Sequence, residues 1–193
     1  ALGQSRDHDA IQDSVIPLIK EVCDFDFALS SSTDPEIATR LSNTQTTQLF
    51  LSLLSFIHSE NEAKAKLSKQ VSKSLTKLYH KILKDASQFP ELSIEQQHRT
   101  RKRVKQLRYC IDFTAGLYPE KQVQQFLDKL QPIQEYLGFY NDLFVAEQIF
   151  QQQVSEKPEF LFALGWVKAQ QPHVAEKADK KLQVLSHKDI FWA

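Results

Sequence analysis

The sequence predicts an all-α fold of antiparallel helical bundles built from a two-unit repeat, and three observations carry that reading. Apolar residues recur with a period near 3.6 along the chain, and no stretch alternates as a half-buried strand does. Glycine occurs only 4 times in 193 residues, and the 7 prolines are read as falling between the periodic segments. Ser93 stands three residues before Gln96 at the head of an amphipathic stretch, the pattern of a capped helix start. A chain of this length can bury the core of one large domain or of two small bundles.

The elements follow in order. A first helix is expected after Ser5, with Asp7 and Asp9 in its first turn, where carboxylates meet the positive end of the helix dipole. Pro17 has no N–H to donate and should break or restart it. Ser30–Ser32 reads as a loop, followed by a short helix opening at Pro35. Thr44 to His58 reads as an apolar helix carrying Leu49, Phe50, Leu53, Leu54 and Ile57. The run from Leu49 to Ile57, broken by two serines, is too short to span a bilayer, so no membrane association is expected. A long helix covers about residues 63–86, and the next runs from the Ser93 cap to about Tyr118. Pro119 suits the first position of the following long helix, in which Gly138 is expected to mark a kink. Pro158 and Pro172 are expected to open two final helices.

Two short echoes suggest the repeat. Leu2-Gly3 with Arg6-Asp7 matches Leu137-Gly138 with Asn141-Asp142, and Leu54-Ser55-Phe56 matches Leu164-Gly165-Trp166 in the same order. The chain begins at Ala1 and contains no Met, so it is expected to be part of something longer. Cys23 and Cys110 lie far apart among apolar neighbours and read as buried thiols, which favours a reducing, cytoplasmic setting.

The net charge is zero but unevenly distributed. Residues 64–108 hold 13 Lys/Arg against 3 Asp/Glu, whereas residues 1–63 hold 3 against 10 and residues 109–193 hold 8 against 11. A basic block between acidic flanks implies an anionic partner.

Within the block, two helices arrange their cations in stripes. At about 100° per residue from His98, Arg108, Arg101, Lys105 and Lys102 fall between roughly 280° and 40°. Val104, Leu107, Ile111, Ala115 and Tyr118 fall between about 180° and 260°. The cations therefore border the apolar stripe, at the edge of the packed interface. Guanidinium forks and ammonium groups there suit phosphate oxygens, and an imidazole adds a donor. In the preceding helix Lys66, Lys69, Lys73, Lys77, His80 and Lys84 share an arc of about 80°, opposite Leu67, Val71, Leu75, Leu78 and Ile82. A solvated basic face is the alternative for both stripes.

The pattern His98-x-x-Arg101-x-x-x-Lys105-x-Leu107-Arg108-Tyr109 resembles the signature of the CHAD family, the conserved-histidine α-helical domain. Leu137-Gly138-x-x-Asn141-Asp142-Leu143-x-Val145-Ala146 is similar to that family's second motif, and Gly165-Trp166 and Phe191-Trp192 fit its closing helices. The resemblance implies paired helical bundles with a basic channel for inorganic polyphosphate, sometimes following a CYTH-type triphosphatase domain. It implies phosphate contacts for His98, Arg101, Lys105 and Arg108. It also casts Leu2-Gly3-x-x-Arg6-Asp7 as the first repeat's counterpart of the second motif, with residues 1–90 as the remaining first repeat and 91–193 as the second. Lys102 and Gln106 stand where the family pattern has an apolar and a basic residue. The first repeat's own His-x-x-Arg helix would lie upstream of Ala1.

The resulting polyphosphate-binding candidates are His98, Arg101, Lys102, Lys105, Arg108, Arg6, Lys69, Lys73 and Lys77, with no cofactor. No HExxH, CxxC, GxSxG or glycine-rich phosphate loop is present, and the six histidines lack ligand spacing. The basic block contains only Asp85, Glu91 and Glu95, too few carboxylates beside the cations for metal-assisted phosphoryl transfer. The expectation is a non-catalytic binding module. A helical scaffold docking an acidic partner is the alternative. Nucleic acid is disfavoured because the basic helices lack interleaved aromatics for base stacking.

Overall fold

The computed structural model describes residues 2–23, 42–58, 67–186 and 189–192. Every regular element among them is helical: α1 (Leu2–Ser14), α2 (Ile16–Lys20), α3 (Thr44–His58), α4 (Leu67–Ala86), α5 (Ile94–Thr114), α6 (Glu120–Gln153) and α7 (Phe160–Leu182). Short 3-10 turns occupy Phe89–Glu91 and Ala115–Leu117. The chain forms two compact units, Ala1–Lys64 and Ala65–Ala193.

In the first unit α1 begins at Leu2, upstream of the expected start after Ser5. Pro17 lies in the first turn of α2, where its missing N–H is no loss. Ile11, Val15, Ile16 and Ile19 are buried. α3 has the predicted limits, yet Leu49, Phe50, Leu51, Leu53, Leu54 and Phe56 are each more than half exposed. The Ser30–Ser32 loop and the helix expected at Pro35 lie outside the described residues.

In the second unit α6 and α7 form the most extensive helix pair, and α5 packs on both α4 and α6. The core combines Leu75, Tyr79 and Ile82 of α4, Val104, Leu107 and Ile111 of α5, and Phe126, Leu130, Ile133, Leu143 and Phe150 of α6. From α7 come Phe160, Ala163, Val167, Ala178 and Leu182. The C-terminal segment closes this core. Trp192 is buried edge-on to Tyr79 and Phe126, its indole N–H donates to Thr76 Oγ1 at 3.2 Å, and the Ser72 hydroxyl donates to its carbonyl. Tyr79 donates to the Ser186 carbonyl at 2.9 Å, and Asp189 pairs with Lys129.

Several expectations need correction. Prolines are not confined to helix boundaries: Pro132 lies inside α6, and Pro172 lies inside α7 rather than opening a further helix. Pro172 is solvent-exposed, while Val167, Val174, Ala178 and Leu182 keep the opposite face buried. Packing of that face outweighs the roughly 3 kcal/mol that an interior proline costs. α6 likewise runs as one helix through both Pro132 and Gly138. The buried seam of α4 is Leu75, Tyr79, Ile82 and Ala86, with Leu67 exposed. Tyr79 joins the core because its hydroxyl reaches a backbone acceptor, which a periodicity count cannot register. Both cysteines are free, as expected, but half-buried rather than buried. Among the described residues no helix is long and apolar enough to cross a membrane.

Candidate functional site

The rotation of α5 decides what its cations face. Ser93 accepts from Gln96 N at 3.3 Å while Gln96 Oε1 accepts from Ser93 N at 2.9 Å, so the predicted capping box fixes the helix start. One turn on, two polar side chains are buried and satisfied. Gln97 donates to the Phe89 carbonyl at 3.0 Å and accepts from the Tyr140 hydroxyl at 3.0 Å. Burial holds the Tyr140 phenol above its ordinary pKa, as suits a donor. Thr100 donates to Asp85 Oδ2 at 3.2 Å, and Arg103 pairs with the same carboxylate. With Val104, Leu107 and Ile111 these contacts pin one side of α5 to the core.

The neighbouring side then faces α6. His98 Nδ1 lies 2.5 Å from Asn141 Oδ1, so the ring nitrogen donates to the amide oxygen. Arg108 Nη1 donates to Gln134 Oε1 at 3.0 Å, with its Nε 3.6 Å from Asp112. The two contacts run in opposite directions along the chain and form rungs between antiparallel helices, about 15 Å apart along α5. Arg101, Lys105 and Arg108 line the groove between the rungs, together with Gln134, Glu135 and Gly138. Arg101 is half-buried and Lys105 is exposed, its ammonium 5.7 Å from the Tyr109 ring centre. Neither has a carboxylate within ion-pair distance among the described residues. A Cβ added to Gly138 would meet nothing within 4 Å, so the glycine leaves the groove floor open.

Beside the groove lies a more apolar pocket of about 330 Å³, walled by Ile94, Leu137, Tyr140, Phe144 and Val145. His98, Asn141, Glu95, Gln97 and Gln148 contribute polar groups, and Arg101 lines both pocket and groove.

Of the predicted residues, the structure therefore gathers His98, Arg101, Lys105 and Arg108. Lys102 is exposed and does not line the groove. Lys69, Lys73 and Lys77 are exposed on α4, also away from it. Arg6 lies in α1, but its side chain is outside the described residues. A separate hollow gathers Lys81, Lys84, Arg99 and Arg103, two of which are already paired, Arg99 with Glu95 and Arg103 with Asp85. The described residues bring no three His, Cys, Asp or Glu together in a metal-holding group.

Sequence reasoning passed over Gln134 and the apolar pocket, and it named Asn141 within the second motif without giving it a role. A signal existed: Gln134, Asn141 and Gln148 recur every seven residues, the repeat of one face of a helix.

No curated protein matches the chain. A solved structure, the crystal structure of the CHAD domain from the plant Ricinus communis, superimposes with a TM-score of 0.71 at 25% identity. The match covers 96% of this chain and 68% of that one. The family model for the CHAD domain matches residues 1–151, which contain both helices of the groove up to Gln151 of α6. With the fold matched along its length and the histidine helix within the matched region, this chain belongs to the CHAD domain family.

Proposed function

We propose that this domain binds inorganic polyphosphate without hydrolysing it, along the groove between α5 and α6. The observation that carries the reading is the state of Arg101 and Lys105. They lie beside one another between two hydrogen-bonded rungs, with no carboxylate partner among the described residues. Cations not already held in ion pairs gain most from an incoming polyanion, because each phosphate supplies the missing acceptors. Arg101 can offer a guanidinium fork, Lys105 a mobile point charge, and Arg108 the N–H groups not engaged with Gln134 and Asp112. Among the described residues Glu135 is the one carboxylate lining the groove, which gives no carboxylate pair there to hold the metal ions that phosphoryl transfer needs. The free thiols suit a reducing, cytoplasmic setting, and a fused or associated CYTH-type triphosphatase is the partner the family suggests.

The test is titration with phosphate chains of increasing length, set against single-stranded nucleic acid of equal charge. Affinity should rise with chain length until the groove is filled, and nucleic acid should bind more weakly. Indifference to chain length, or equal binding of an acidic protein, would replace this reading with that of a basic scaffold. Phosphate release should not exceed background with Mg²⁺ or Mn²⁺ present.

A further inference from the structure

We propose that the apolar pocket beside the groove takes the base of a nucleoside oligophosphate, whose phosphates run from Arg101 towards Lys105 and Arg108. The inference rests on the phosphate-binding reading above and extends it to a second ligand class. Its starting point is that Arg101 lines both cavities, so a ligand held at that guanidinium reaches the pocket on one side and the cationic groove on the other.

The lining of the pocket does not suit a bare phosphate chain. Leu137, Val145 and Ile94 offer only apolar contact, and Phe144 stands edge-on to Tyr140 at 5.0 Å. An inorganic anion would be desolvated against these walls without any contact that suits it there. At about 330 Å³ the pocket falls within the range of small-molecule sites, roughly 300–1,000 Å³.

The polar groups make the same distinction. Because His98 Nδ1 donates to Asn141 Oδ1, a neutral His98 ring keeps Nε2 as an acceptor, and Asn141 keeps both amide hydrogens as donors. Neither group has a further partner among the described residues. An acceptor beside a donor at the edge of an apolar slot matches the edge of a nucleobase, which presents both. Glu95, the carboxylate of the pocket lining, is tied to Arg99 and so is partly neutralised.

The experiment compares Mg²⁺-free ATP with inorganic tripolyphosphate by calorimetry on the whole chain, with long polyphosphate measured alongside. ATP should bind at least about tenfold more tightly than tripolyphosphate, since burying and stacking one base commonly supplies that much. Phe144→Ala, and separately Val145→Trp to fill the pocket, should each erase the difference and leave polyphosphate affinity unchanged. Thermal melting of each variant identifies one that has not folded, and the wild-type comparison stands without them. Equal affinities for ATP and tripolyphosphate, with polyphosphate still bound, would overturn this inference alone. Failure of all three phosphates to bind would overturn the groove reading with it.

Discussion

His98 and Asn141 join α5 to α6 through a single contact, Nδ1 to Oδ1 at 2.5 Å, and that contact marks one end of the cationic groove. The Arg108–Gln134 contact at 3.0 Å marks the other. Arg101 and Lys105 lie between them and do not bridge the helices through any carboxylate. The rungs thus fix the spacing of the walls, while the residues between them remain available to a ligand.

Reversing both free cations should separate binding from folding. Arg101→Glu with Lys105→Glu should reduce polyphosphate affinity at least a hundredfold. Each lost charge-assisted contact costs about 1.5–3 kcal/mol, and repulsion adds to it. The melting temperature should change little, because neither side chain fills the core. The Lys69→Glu and Lys73→Glu pair, exposed on α4, should weaken binding less. Dominance of the α4 pair would move the site to that helix.

Salt dependence counts the contacts. With the three cations of the groove, and a slope of about −0.7 per contact, affinity should fall roughly twentyfold between 50 and 200 mM salt. Recruitment of Lys102, Lys69, Lys73 and Lys77 would raise the loss to on the order of 10³. A flat response would exclude an electrostatic site altogether.

Gly138 offers a test in which stability and binding move in opposite directions. Alanine has room there and is better suited to a helix interior, so Gly138→Ala should stabilise the fold by about 0.5–1 kcal/mol. The added methyl group enters the groove floor, and a larger side chain such as leucine should reduce polyphosphate binding severalfold. Unchanged binding by Gly138→Leu would mean that the ligand does not reach the floor.

Acid should loosen the C-terminal clamp. Burial alone would raise the pKa of Asp189, but Lys129, the Ser186 N–H and the Tyr79 hydroxyl together hold it below the ordinary value. A carboxyl depressed in the folded state stabilises above its unfolded pKa of about 4, and that stability is lost as pH falls through the folded value. Acid unfolding below about pH 4 should therefore be shallower in Asp189→Asn than in the native chain. Superimposable acid limbs would show that Asp189 does not couple to folding. Tyr79 behaves oppositely. Burial, then Asp189, raises its pKa, so its contribution is complete below about pH 10 and is lost as pH rises further.

The sequence by itself determined the helical class, the limits of α3, the Ser93 capping box and the cationic stripe of α5. All of these depend on residues within a few turns of one another, where periodicity and capping chemistry act directly. It also carried the family motifs on which the polyphosphate expectation rests. Tertiary structure decided what the stripe faces. The contacts of Gln97, Thr100 and Arg103 with Phe89, Tyr140 and Asp85 set the rotation of α5. Partners such as Asn141 and Gln134, dozens of residues away in sequence, meet the stripe only after α5 and α6 pack antiparallel. The continuity of α7 through Pro172 has the same origin, because a buried face outweighs a local propensity. Local physics wrote the helices, and the pairing of distant faces made the groove.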